Sequence, residues 1–217
     1  MNFALLAMVL ALSTPGNPAL DAAPAPGLEP AGMARSEAWG KAPAVELTGF
    51  SGAPAQRARV RALWNEDWLF FAFSLSDRSI VSPGASDGLD HFRLGDTAEV
   101  FIAPRGAAHY AEVHATPAGR KTSYFCSAYR QIAAAPRGAE RVTVEAAPDG
   151  RGWRAFIAVP RAILEKESGG NGYDVFFARY DYDRGGTAPV LSSFPAQHGD
   201  KPDFHRRADY AILRLTP

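Results

Sequence analysis

"RARVRALWNEDWLFFAFSLSD", residues 57–77, is the stretch on which the fold turns. Arg57, Arg59 and Arg61 alternate with Ala58, Val60 and Ala62, a period of two that puts the arginines on one face of a strand. After a short turn flanked by Trp64 and Trp68, Leu69, Phe71, Phe73 and Leu75 share a face opposite Phe70, Ala72, Ser74 and Ser76. Each layer of a β-sandwich must bury one apolar face, so Leu69, Phe71 and Phe73 read as core and the two tryptophans as hairpin packing.

The alternation recurs in "TAEVFIAP", "RVTVEA", "GWRAFIAVP", "YDVFFARYDYD" and "DYAILRL". In "YAEVHAT", Ala111, Val113 and Ala115 point inward while Tyr110, Glu112, His114 and Thr116 point outward. Only "PRAILEKE" (160–167) has a helical pattern, opening on a proline that a first helical turn tolerates. Many short strands separated by turn signals predict an all-β, antiparallel sandwich with one short helix.

The chain has 217 residues, suited to one domain, with 23 basic and 23 acidic residues. Without a basic surplus, a nucleic-acid partner is not expected. Residues Phe3 to Leu12 are almost wholly apolar, too short to span a bilayer and of signal-peptide length. A signal peptide over 1–23 is therefore expected, cut between Ala19 and Ala23, with a Pro/Ala-rich linker over 24–35 and the domain over 36–217. No further apolar stretch reaches membrane length, so a secreted or periplasmic protein without stable membrane association is expected. The single cysteine, Cys126, admits no internal disulfide and reads as a small buried hydrophobe.

Enzyme signatures are thin. No Gly-x-Ser-x-Gly elbow or Gly-rich phosphate loop is present. In "HYAEVH" (109–114) the two histidines lie five apart, on opposite faces of a strand, and share no metal. The stretch "SDGLDHFRLGDTAEVF" (86–101) gathers Asp87, Asp90, Asp96 and Glu99 around a Gly-containing loop entering a strand; the set, with Asp87, Asp90 and Asp96 as ligands, suits calcium or, as the plainer reading, turn capping.

Five blocks in order, "ARVRALWNEDWLFFAFSLSD", "GDTAEVFIAP", "YAEVHATPAG", "GWRAFIAVPRAIL" and "FHRRADYAILRL", resemble the family 9-like carbohydrate-binding modules. The resemblance covers residues 36–217 and implies an immunoglobulin-like sandwich of the kind shared with DOMON domains. It further implies a sugar held between two aromatic rings, with polar side chains beside it and structural calcium nearby. Phe92, with Arg93 beside it, and Phe204 stand at the ring positions, where the family carries Trp; Phe194 likewise replaces an upstream Trp. A phenyl ring offers a pyranose less area, which lowers affinity or changes the ligand. Glu112, His114 and Arg179 are the expected hydrogen-bonding partners for the hydroxyls.

The resulting expectation is a non-catalytic, monomeric, exported domain that binds an oligosaccharide or polysaccharide, working beside a separate glycoside hydrolase. Haem-linked electron transfer, known in related sandwiches, is the alternative. The methionines are Met1, Met8 and Met33, in the leader and linker, so no core Met ligand is expected; a bis-His or His–Lys site would have to draw on His91, His109, His114, His198 and His205, which no pattern favours, and no haem is expected.

Overall fold

The computed structural model describes residues 17–133, 140–164, 172–184, 186 and 188–217. Fourteen strands run through them: β1 (Ala19–Pro24), β2 (Ala44–Glu46), β3 (Thr48–Gly49), β4 (Ala58–Trp64), β5 (Trp68–Ser76), β6 (Thr97–Pro104) and β7 (Tyr110–Ala115). They continue with β8 (Lys121–Ala128), β9 (Gln131–Ala133), β10 (Arg141–Ala146), β11 (Gly152–Pro160), β12 (Tyr173–Asp181), β13 (Val190–Phe194) and β14 (Ala211–Leu215). Neighbours in the sheet follow the order β10-β11-β5-β4-β1-β14-β12-β6-β7-β8-β9. The run folds over so that Phe71 of β5 meets Phe177 of β12, ring centroids 5.5 Å apart. The all-β sandwich read from the alternation is the observed fold.

The sheet is mixed rather than purely antiparallel. β1 pairs in parallel with β14 through Ala19–Ala22 and in parallel with β4 through Ala22–Pro24. One strand thus passes from one layer to the other, a common way to turn a sandwich corner. Leu20 and Ala22 are buried in the main core. This corrects the expected boundaries: a cut between Ala19 and Ala23 would sever a central strand, and the folded domain begins near Pro18, not Ser36. The expected linker, residues 24–35, is packed structure. Residues Pro30–Arg35 form a 3-10 turn, and Met33, expected in a linker, is fully buried against Leu63, Phe70 and Phe156 on the outer face of β4, β5 and β11. Ala25 and Ala34 pack in or against the same cluster, so an Ala- and Pro-rich composition here belongs to a crowded corner and not to a spacer.

Of the expected helix, the described residues contain a single 3-10 turn, Arg161–Ile163; residues 165–167 lie outside them. Residues 1–16, within the expected signal peptide, also lie outside. Among the described residues no helix is long and apolar enough to cross a membrane.

Alternation along the middle strands creates two apolar surfaces per layer. Phe177 enters the main core while its neighbour Phe176 points outward, joining Phe101, Tyr110, Cys126, Phe204 and Tyr210. That outer cluster carries the candidate site.

Candidate functional site

The loop 86–96 is tied down along its length. Gly88 N–H donates to Lys121 O, Thr122 Oγ1 to Leu89 O, and Tyr124 Oη to Asp90 Oδ1 at 2.7 Å. At its end, Asp96 accepts from Val81 N at 2.6 Å and Tyr182 N at 2.7 Å, joining the loop to the end of β12. Gly95 is required there: a Cβ would fall 2.1 Å from Val81 O. These tethers fix Phe92 over the outer face of β6, β7 and β12, half-buried, its ring 5.6 Å from Tyr180 and edge-on to His114 at 6.0 Å. Arg93, exposed, pairs with Asp90 and lies over the Phe92 ring at 5.2 Å.

On the other side, Gln197 clamps the segment before the last strand, donating to Asp203 O and accepting from Asp203 N. Tyr210 Oη donates to Phe204 O. Phe204 is only 6% exposed and packs on Phe176 at 5.5 Å and Tyr180 at 5.7 Å. Tyr180 therefore touches both phenyl rings.

Phe92, Arg93, Glu99, Phe101, Glu112, Arg130, Tyr180, Pro202, Phe204 and His205 line a cleft of about 180 Å³. Larger clefts, of about 410 Å³, lie elsewhere, one against the Arg57, Arg59 and Arg154 surface. The other is lined by buried Glu140, whose carboxyl is already paired with Lys121 and Ser123, whereas the smaller cleft meets Glu99 and Glu112, one with a buried oxygen that has no hydrogen-bond partner, the better mark of a binding site.

Glu99, on β6, stands directly opposite His114 of β7, and Glu112 lies two residues before it on the same face. His114 Nε2 is 2.6 Å from Glu112 Oε1 and 3.3 Å from Glu99 Oε1. All three side chains are buried. Since the His114 nitrogen bonds to Glu112, Glu99 Oε1 is left with no hydrogen-bond partner. Burial pushes the Glu99 carboxyl well above the usual carboxylate range, against the pull of His114. Burial also opposes charge on His114, but the Glu99 and Glu112 carboxylates outweigh it and hold the imidazole above its usual value. His205 Nδ1 bonds Tyr110 Oη at 2.8 Å and lies 3.8 Å from Glu112 Oε2; burial lowers its pKa.

Of the six residues expected to meet a sugar, Phe92, Arg93, Glu112 and Phe204 line this cleft, and His114 stands behind Glu112. Arg179 does not belong with them. It is fully buried on the inner-face parity of Val175 and Phe177, paired with Asp77 at 3.2 Å and Asp181 at 3.0 Å. Its strand neighbour Tyr180 faces the cleft instead. Phe194 packs on Phe177 in the main core. Tyr180 and Arg130 are not marked by the sequence, and Glu99 and His205 are marked for other roles, Glu99 in the acidic stretch and His205 among the histidines. Counting by twos from Ala178, or from Glu112 across to the facing strand, finds Tyr180 and Glu99; Arg130 and His205 sit in turns, where no period applies.

The expected calcium ligands Asp87, Asp90 and Asp96 do not converge. Asp87 caps Lys121 N, Asp90 holds Tyr124 and Arg93, and the Asp96 oxygens already accept two backbone N–H groups. Asp96 clusters instead with Asp77 and Asp181, beside the Arg179 guanidinium, which supplies positive charge there. That set does not fit the oxygen cage expected from the loop. Cys126 is buried and unpaired, as read.

No protein-family model matches this sequence, and no curated protein does. Solved structures do. A Bacteroides uniformis protein, classed provisionally as carbohydrate-binding, superposes with a TM-score of 0.74 at 14% identity over 92% of this chain and 99% of its own. A family 9 carbohydrate-binding module of Caldicellulosiruptor kristjanssonii in complex with cellotriose gives 0.61 at 12% identity, over 92% of this chain and 95% of that one. The same organism's module in complex with glucose gives 0.66 at 11%, over 91% and 95%. Along nine-tenths of its length, this chain has the fold of the family 9 carbohydrate-binding modules.

Proposed function

We propose that the cleft beside Phe92 binds the end of a neutral oligosaccharide without cleaving it. The observation that carries this reading is an aromatic wall, Phe92 and Tyr180, next to a buried carboxyl oxygen, Glu99 Oε1, that lacks a hydrogen-bond partner. A sugar supplies both complements: axial C–H groups for the ring faces and hydroxyl donors for the acceptor. Arg93, paired with Asp90, and Arg130, paired with Asp203, stand at the rim with further guanidinium donors. At about 180 Å³ the cleft is smaller than the roughly 300–1,000 Å³ of drug-sized pockets, which favours one terminal unit over a chain segment. Modules of the same fold in complex with glucose and cellotriose support the ligand class.

Phe204 in this reading is a wall whose edge reaches the cleft, and the holding ring is Phe92. Affinity is modest, micromolar or looser, because a small hydrophilic ligand yields little net free energy. Export follows from the apolar leader, with the cut before Ala19 so that β1 survives.

Isothermal titration of the full chain with glucose, cellotriose and a panel of other oligosaccharides tests the proposal. At least one should give saturable heat that Phe92→Ala reduces tenfold or more, with no reducing sugar released over time. Silence across the panel, or equal binding by Phe92→Ala, would overturn it.

A further inference from the structure

We propose that Glu99, Glu112 and His114 form a binding site for a divalent first-row metal of the zinc class, with its open position toward the cleft. The period of two that separates His109 from His114 places Glu112 and His114 on one face, and the β6–β7 register sets Glu99 opposite. Their ligand atoms, one from each, all lie within 4.8 Å of one another, and every one of the three residues is buried. In a tetrahedral zinc site with bonds of about 2.0–2.2 Å, neighbouring ligands stand about 3.3 Å apart. The Nε2 to Glu99 separation is 3.3 Å; the 2.6 Å contact to Glu112 would open as a cation replaces the proton shared there.

Charge and donor type both favour this occupant. In the forms that ligate a metal, both carboxyls ionised and the imidazole neutral, the three side chains carry two negative charges, which one divalent ion cancels in exchange for the protons it displaces. Glu99 Oε1, buried and without a hydrogen bond, points into the cluster and gains a partner. An imidazole beside two carboxylate oxygens suits zinc, cobalt or manganese better than calcium, which prefers all-oxygen shells. Because Glu99 and Glu112 also line the cleft, the remaining coordination position opens to it, as in zinc sites that keep an exchangeable ligand. The sugar-binding proposal is not a premise here.

The test uses the full chain, stripped with EDTA and dialysed. Titration with Co²⁺, read by visible absorption, should saturate at one equivalent with tetrahedral or five-coordinate bands, and Zn²⁺ should displace it and raise the Tm. Glu99→Gln and His114→Gln should weaken Co²⁺ binding tenfold or more, whereas His109→Gln should leave it unchanged. The wild-type titration decides even where the buried variants fold poorly: absence of bands and of a Zn²⁺-dependent Tm rise overturns the site. Bands that persist in folded Glu99→Gln and His114→Gln overturn it too. Sugar titrations repeated in EDTA keep the two proposals apart, since sugar heat without metal binding sinks the metal site alone, and metal binding without sugar heat sinks the sugar reading alone.

Discussion

Arg179 Nη2 lies 3.0 Å from Asp181 Oδ1, and neither side chain is more than marginally exposed. Asp77 Oδ2 closes the group at 3.2 Å. Removing the guanidinium would strand buried carboxylates, so Arg179→Ala is expected to destabilise by about 3–5 kcal/mol. Urea unfolding measures it; a loss below about 1 kcal/mol would mean the pair is solvated.

The same cluster gives the fold a pH dependence. Burial, together with the Asp77 and Asp181 charges, raises Asp96 to about 7 despite its bonds from Val81 and Tyr182. The folded state then holds a proton that an unfolded aspartate, with its ordinary value of 3.8, has released. The stabilising effect of that proton is whole below about pH 4 and lost as pH rises through about 7. In EDTA, wild type should melt lower at pH 8 than at pH 5, and Asp96→Asn should flatten that slope. Parallel profiles would refute the assignment.

The two phenyl rings should respond differently. Phe204 is buried against Phe101, Phe176 and Tyr180, so Phe204→Ala is expected to cost about 3–5 kcal/mol in stability. Phe92 is half-exposed under Arg93, and Phe92→Ala should lower the Tm little while removing sugar binding. Thermal melts paired with calorimetry separate the roles.

Truncation tests the corner strand. A chain starting at Asn17 should fold, because β1 remains to pair with β4 and β14. One starting at Ala25 loses Leu20 and Ala22 from the core and should be insoluble or molten by near-UV circular dichroism. Equal stability of the two would remove β1 from the fold.

Gly95→Ala should also destabilise, since its methyl would collide with the Val81 carbonyl that accepts from Asp96 N. A wild-type-like Tm would show that the loop bearing Phe92 gives way freely.

Sequence alone determined the layers. The alternation from Ala58 to Leu75 put Val60, Phe71 and Phe73 in the core, and the structure keeps them there, because a strand's side-chain direction is local and follows from backbone geometry. It also placed Glu112 and His114 together on one face. Only the tertiary structure decided which face of which strand met which partner. Arg179 and Tyr180 are adjacent letters, yet one closes a buried ion cluster and the other floors a cleft, because the facing layer covers a single side of β12. Residues 19–35 look like a spacer until β4 and β14 are seen to leave a strand's width between them. Whether a segment pairs depends on edges supplied by residues far along the chain, and local composition carries no record of those edges.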